Sequence, residues 1–275
     1  MPEGDTIFRT ADVLRRALAG SRVLRARAQP RPGLSRVPDL SVLEGTRVER
    51  VEALGKHLLI GFSNRCWLRS HMRMNGSWHR YRPGEAWRLP ARRATCWLET
   101  DAAVAVCFDA PELELLTDAA LARHPRLLAL GPDLLAASFD ADEAVRRLLA
   151  DPRRPLGEAL LDQRVVAGMG NVYKSEVCFI ERLDPWAPVG SMAGPRLRTA
   201  LGTARRLLAA NTGGGARVTT GSRRPGASLW VYGRPGRPCR RCGTRILSRR
   251  QGEEARLTYW CPRCQGSAGP GAAAG

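Results

Sequence analysis

Cys239 and Cys242 form one CxxC pair, Cys261 and Cys264 form a second, and 18 residues separate the two. Two thiolate pairs at this spacing suit a tetrahedral zinc ion, because each CxxC closes a tight turn that aims two sulfurs at one metal. Gly243, directly after the first pair, supplies the backbone freedom such a turn needs. Four sulfurs leave no open coordination position, so the expected Zn2+ is structural, one per chain, and its work is to hold the hairpin between the pairs. That hairpin carries Arg245, Arg249, Arg250 and Arg256, which read either as an element that enters DNA or as a solvated basic face. Disulfides are the competing reading of the cysteines. They fit poorly with a chain that opens MPEGDT, where no apolar leader is expected. Cys66, Cys96, Cys107 and Cys178 lie in apolar runs without metal spacing and read as core residues.

A second group of residues lies at the start of the chain. Removal of Met1 ahead of the small Pro2 would leave a secondary amine, with Glu3 beside it and a helix beginning within a few residues. The positive end of that helix favours an unprotonated amine and attracts phosphate. A secondary amine can attack an aldehyde-level carbon to form an iminium, and a neighbouring carboxyl can donate or accept the proton. From the residues alone this remains one option beside an ordinary start. The turn AGMGN at 167–171 is a third candidate: its glycines let backbone approach a ligand, and the N–H groups opening the next helix suit phosphate. A plain helical turn is the alternative.

Composition bears on these options. Lysine and arginine number 44 against 26 acidic residues, for a net charge of +18 and a pI near 11. Arg-rich codon usage explains arginine in place of lysine but not the excess of cations, so a polyanionic partner is expected. Only Lys56 and Lys174 are lysines, which draws attention to both, since an ammonium can give up its proton and a guanidinium cannot. Lys56 sits in GKHLL. Lys174 reads as an exposed helix charge, with a backbone phosphate contact as the alternative. The segment from Arg217 to Cys264 holds 12 arginines and two acids, so a local polyanion-binding module is expected there. No apolar run approaches the ~18 residues of a membrane span.

The elements that would position these groups follow from periodicity. Residues 5–20 read as an amphipathic helix with Ile7, Ala11, Leu14 and Leu18 on one face, Asp5 or Thr6 as cap and Gly20 as terminator. From about 21 to 117 short β-like runs follow, among them 48–54, 57–62, 66–71, 94–99 and 103–108, which suggests a sandwich or barrel. Helices are expected over 144–150 (capped by Asp140 or Asp142), 156–163, 171–182 (with Asn171 as N-cap) and 195–210. Segment 111–133 is ambiguous, 212–228 reads as a mobile loop, and 267–275 as a disordered tail. Glu176 is expected to support the 167–171 turn. His57, His71, His79 and His124 show no metal spacing, and His57 and His71 read as packed strand residues.

MPEGDT, GKHLL at 55–59, SHMRMNGSW at 70–78, LLDQRVVAGMGNVYKSE at 160–176 and VYGRPGRPCRRCG…YWCPRCQ at 231–265 occur in one order. Together they resemble the formamidopyrimidine-DNA glycosylase and endonuclease VIII family of bifunctional DNA-repair enzymes. The resemblance implies an α+β multidomain fold: an N-terminal helix and β-sandwich over 1–120, a helix–two-turn–helix domain over 133–222 and a four-cysteine zinc finger over 223–266. It implies Pro2 as the nucleophile at C1′ of the damaged nucleotide, Glu3 as general acid and Lys56 as a phosphate contact that assists elimination. It places Arg256 as the finger arginine of δ-elimination, Asn171 as a grip on phosphates at the lesion, and Met74, beside Arg73, as the side chain inserted where the base is flipped out.

Three positions depart from the family patterns. Arg73-Met74-Asn75 stands where endonuclease VIII commonly has Gln-Leu-Tyr, and the methionine resembles the purine-repair branch. A second void-filling side chain, expected within 123–130, has no clear match beyond Arg126. The short segment between Gly213 and the finger, together with GKH, favours the endonuclease VIII branch. The expected activity is therefore DNA glycosylase and abasic-site lyase, removing oxidised bases, pyrimidines ahead of purines, from double-stranded DNA and cutting by β,δ-elimination. A monomer acting in a bacterial-type cytoplasm at the nucleoid is expected. The alternatives are a zinc-finger protein that binds damaged DNA without catalysis, the purine-preferring branch, and a general nucleic-acid binder.

Overall fold

The computed structural model describes residues 2–266; the tail expected over 267–275 lies outside the described residues. Two compact units divide the chain, the first ending at Ala129 and the second beginning at Leu130.

The first unit opens with α1 (Gly4–Leu18), which buries Ile7, Ala11, Leu14 and Leu18 along one stripe. Its cap differs from expectation. Glu3 is the N-cap residue, and Thr6 and Ile7 donate their N–H groups to the Glu3 carbonyl at 2.9 and 3.1 Å. Asp5 and Thr6 lie inside the first turn, where Asp5 Oδ1 also accepts the Thr6 N–H.

Eight strands follow: β1 (Val23–Ala28), β2 (Val48–Leu54), β3 (His57–Phe62), β4 (Cys66–His71), β5 (Ser77–Tyr81), β6 (Ala94–Thr100), β7 (Val104–Phe108) and β8 (Glu112–Thr117). They form two four-stranded antiparallel sheets, ordered β1-β6-β7-β5 and β2-β3-β4-β8. Apolar residues of both sheets and of α1, including Leu14, Leu18, Val23, Leu58, Ile60, Leu68 and Leu98, share one core. β3 is buried along its whole length. The ambiguous 111–133 segment supplies β8, which pairs with β4 from Cys66↔Thr117 to His71↔Glu112, then α2 (Asp118–Ala122) and α3 (Pro125–Leu128).

The second unit is helical and then finger-like. Asp140 caps α4 (Ala141–Leu149), its Oδ1 accepting from the N–H groups of Asp142 and Glu143. Next, α5 (Leu156–Ala159) is shorter than the 156–163 helix expected. Asp162 ends it by accepting the Arg164 N–H and the side chains of Arg154 and Arg164 in a separate turn. α6 (Asn171–Ile180) and α7 (Gly194–Ala210) complete the helical core with Leu148, Leu156, Tyr173, Val177, Leu197 and Leu201.

Residues 212–228, expected as a mobile loop, carry no helix or strand and are cross-linked by hydrogen bonds. Asn211 exchanges side-chain hydrogen bonds with both backbone groups of Val218, and Thr219 N–H donates to Ser228 O at 2.8 Å. β9 (Leu247–Gln251) and β10 (Arg256–Trp260) form the expected hairpin, followed by α8 (Pro262–Gln265).

Arg241, between the cysteines of the first pair, binds the hairpin base to α6. Its guanidinium lies 4.5 Å from the Phe179 ring centroid and donates to Phe179 O and Ile180 O at the helix C-terminus. Among the described residues no helix is long and apolar enough to cross a membrane.

Candidate functional site

In the first unit Pro2 is half-buried and Glu3 has 0% exposure at the start of α1. α1 packs on β2 and β3. Gly55 and Lys56 form the two-residue turn that joins those same strands, and Lys56 is half-buried. The helix that carries Pro2 and Glu3 is thus seated on the hairpin that carries Lys56.

The turn between β4 and β5 holds Arg73, Met74 and Asn75, and Met74 is 51% exposed. Gly76 closes it with an N–H to Met72 O bond of 2.8 Å. A Cβ at Gly76 would stand 2.7 Å from Met72 O and 2.8 Å from Met72 Cα, both backbone atoms, so only glycine fits. Arg73 adopts φ 46°, and its N–H donates to His71 Nδ1 at 3.2 Å.

Behind this turn lies a charged cluster not foreseen from the sequence. Arg69 has 0% exposure; it donates to Glu114 Oε2, Glu112 Oε2 and His57 Nδ1, each at 3.0 Å. Arg73 Nε donates to Glu112 Oε1 at 2.6 Å and Arg126 Nη1 to Glu112 Oε2 at 2.9 Å. Burial opposes ionisation of Glu112, but Arg69, His71 and Arg73 outweigh it and hold the carboxyl down at about 2. Burial first, and then Arg69, push His57 down to about 2, so the ring is neutral with Nδ1 as acceptor. The available signal was an arginine inside an apolar strand, CWLRSH, and two glutamates alternating with leucine in ELELL.

In the second unit the 167–171 turn is buried throughout. Gly168 takes φ 94°, a value glycine tolerates. Gln163 braces the turn, accepting the Gly168 N–H and donating to Leu161 O and Met169 O. Asn171 is the first residue of α6 and not its cap, which is Gly170. Its side chain instead reaches across the chain, Nδ2 donating to Leu257 O at 2.8 Å, and Oδ1 is buried without a hydrogen-bond partner. This places Asn171 against the residue next to Arg256, which opens β10 and pairs with Glu254 at 2.9 Å.

Lys174, expected on the surface, has 0% exposure and donates to Thr258 Oγ1 at 2.5 Å. The helical pattern alone did not show that β10 would cover this face of α6. Glu176 was expected to support the 167–171 turn; its carboxylate instead holds Thr219 and the segment 230–232. Its Oε1 accepts the N–H groups of Val231 and Tyr232 and its Oε2 that of Trp230, all at 2.8 Å, and Thr219 Oγ1 donates to the same oxygen as Trp230.

The Sγ atoms of Cys239, Cys242, Cys261 and Cys264 all lie within 4.8 Å of one another, with 3.9 Å between Cys239 and Cys264 and 3.5 Å between Cys242 and Cys261. Tetrahedral zinc with Zn–S bonds of about 2.3 Å sets its sulfurs about 3.8 Å apart. The donor set and spacing therefore fit a zinc ion closed to further ligands.

Three family models cover the chain in sequence. The formamidopyrimidine-DNA glycosylase N-terminal domain matches residues 1–113, the H2TH domain of the same glycosylase matches 130–221, and the zinc finger found in FPG and IleRS matches 236–266. A probable endonuclease 8 2 of Streptomyces coelicolor is 43% identical over 98% of this chain and 96% of its own length.

The chain belongs to the formamidopyrimidine-DNA glycosylase and endonuclease VIII family of DNA-repair enzymes.

Within that family the chain is also 44% identical to the DNA-(apurinic or apyrimidinic site) lyase Nei2 of Mycolicibacterium smegmatis, over 96% of this chain and 99% of that protein. The MutM (Fpg) protein of Thermus thermophilus shares the fold with a TM-score of 0.80 and 28% identity, over 98% of this chain and 100% of the other. A complex of Lactococcus lactis Fpg with DNA containing an abasic site has a TM-score of 0.82 at 21% identity, over 96% of this chain and 99% of the other, and speaks to the fold alone. The α+β architecture of helix, β-sandwich, H2TH helices and four-cysteine finger is that of the family.

Proposed function

We propose that this protein is a bifunctional DNA glycosylase and abasic-site lyase of the endonuclease VIII branch, acting on oxidised bases with pyrimidines preferred. The observation that carries the reading is Pro2, set directly ahead of the fully buried Glu3 at the start of α1, in a chain that matches an abasic-site lyase over 96% of its length.

Once Met1 is removed, the Pro2 nitrogen attacks C1′ of the damaged nucleotide. The C1′–N bond to the base breaks, Glu3 supplies the proton that opens the sugar, and an iminium joins Pro2 to the ring-opened deoxyribose. The iminium acidifies the neighbouring C–H, so loss of that proton expels the 3′ phosphate, and a second elimination expels the 5′ phosphate. Lys56 neutralises the phosphate beside the sugar, and Arg256 steadies the departing phosphate of the second step through its fixed charge and N–H hydrogen bonds. Water then releases the sugar fragment and restores the amine.

Asn171 and the arginines of the hairpin contact phosphates. Met74 fills the space left by the extruded base, offsetting part of the few kcal/mol that extrusion costs. Zinc, one ion per chain on Cys239, Cys242, Cys261 and Cys264, holds the hairpin and takes no part in bond breaking. Double-stranded DNA, a monomeric state and a cytoplasmic setting belong to the same reading.

The test is borohydride trapping on an oligonucleotide with an abasic site. A covalent adduct is expected with the native protein and none with Pro2→Gly or a blocked N-terminus. Absence of an adduct from zinc-loaded native protein rejects the reading in favour of a binding protein. A cleavage panel of 5-hydroxycytosine, thymine glycol, dihydrouracil and 8-oxoguanine opposite cytosine tests the branch, with pyrimidines expected first.

A further inference from the structure

Among the described residues, Glu112 bonds to arginines of two candidate void-filling segments of the first unit, the β4–β5 turn and α3. It begins β8 directly opposite His71, the last residue of β4, and its side chain is 16% exposed. Its Oε1 holds Arg73; its Oε2 holds Arg126 and Arg69. Arg73 belongs to the β4–β5 turn and Arg126 to α3, segments far apart in the sequence.

Arg69 makes this carboxylate a rigid anchor. A fully buried guanidinium is tolerated only with its charge paired, and removal of one partner is heavily destabilising. Arg69 meets Glu112, Glu114 and the neutral His57, and His124 in turn contacts Glu114 at 3.0 Å. Glu112 is therefore fixed from below by a group that cannot move to solvent, while its outward side draws in two arginines that are themselves half to two-thirds exposed, Arg73 at 51% and Arg126 at 62%.

The consequence falls on Met74. Arg73 is drawn down onto Glu112 at φ 46° and tied through its N–H to His71, Gly76 closes the turn, and between them Met74 is left 51% exposed. We infer that Glu112 is a positioning residue that sets the posture of the Met74 wedge, by holding Arg73 and Arg126 on one carboxylate anchored by Arg69. The inference rests on the proposed function, since it takes Met74 to enter the duplex.

It predicts a selective defect. A wedge matters most when a paired base must be lifted from a duplex and least when no pair has to be opened. Glu112→Gln keeps the shape but loses the charge that holds Arg73. The experiment measures single-turnover rates on thymine glycol in a duplex, on thymine glycol in a single strand, and on a preformed abasic site in a duplex. Roughly tenfold slower excision is expected for the duplex lesion, with less than about threefold change on the other two substrates.

Glu112→Asp provides the second variant should the amide weaken folding. It keeps a charge for Arg69 but withdraws from Arg73, and the same selective loss is expected. An equal loss on all three substrates assigns Glu112 to structure alone and overturns the inference, as does an unchanged duplex rate in either folded variant. Native protein inactive on every substrate would instead reject the proposed function itself, so the two failures are distinct.

Discussion

Lys174 Nζ donates to Thr258 Oγ1 at 2.5 Å, and neither residue has any exposed surface. Thr258 passes the bond on to Gln251 Oε1 at 2.6 Å, and Gln251 Nε2 ends the chain at Pro185 O, 2.8 Å away. One line of hydrogen bonds thus runs from the helix that begins with Asn171, through both strands of the hairpin that carries Arg256, to the segment after that helix.

Lys174→Ala removes the donor at the head of this line and empties the space of a fully buried side chain. A loss of about 2–4 kcal/mol is expected, read from the urea unfolding midpoint. Lys174→Met keeps most of the volume without a charge to bury, so it is expected to recover most of that stability. An alanine variant as stable as the native protein would show that the line contributes nothing to stability.

Glu176 commits both oxygens to donors. In Glu176→Gln one oxygen becomes an NH2 group facing N–H or O–H donors, so at least one buried donor is left unmatched, at a cost of about 1–3 kcal/mol. Faster amide hydrogen exchange at Trp230, Val231 and Tyr232 is the expected signature, and unchanged exchange there would refute it.

Cys261→Ser removes one of four ligands that only together satisfy a closed site. Metal analysis is expected to fall from about one zinc per chain toward zero. DNA affinity is expected to drop while the first unit, whose core contains none of these cysteines, keeps its fold. Full zinc content in the serine variant would remove Cys261 from the ligand set.

The first unit is expected to lose stability in acid. Burial, and then Arg69, lower His57 from 6.5 to about 2 in the fold, so between those values the unfolded chain binds a proton that the folded chain refuses. The His57 contribution is therefore full above pH 6.5 and is lost as pH falls toward 2, at up to about 1.4 kcal/mol per pH unit. Glu112 acts with the same sign over a lower window, from its ordinary 4.5 down to about 2. Urea midpoints at about pH 7, 6 and 5 check this: His57→Gln is expected to flatten the pH slope, and an equal slope in that variant would sink the assignment.

Much of the molecule was legible because its signals are local. CxxC spacing names the four sulfurs that the fold collects, and the stripe of Ile7, Ala11, Leu14 and Leu18 is the face that α1 buries. The runs at 48–54, 57–62 and 66–71 coincide with β2, β3 and β4, since alternation and turn residues act within a few positions. The cap at Asp140, one of two candidates, was legible for the same reason, as its side chain reaches only the next turn.

Tertiary structure decided what depends on partners far along the chain. Arg69 meets Glu112 from 43 residues away, Lys174 meets Thr258 from 84, and Asn171 meets Leu257 from 86. A charged residue in an apolar run reads as surface until its counter-charge is seen beside it, because burial is tolerated only with that partner present. Sequence by itself determined which groups can do chemistry, through residue type and short spacing. Packing determined which of them are anchored and which project, because that outcome rests on desolvation and pairing among residues that meet only once the chain has folded.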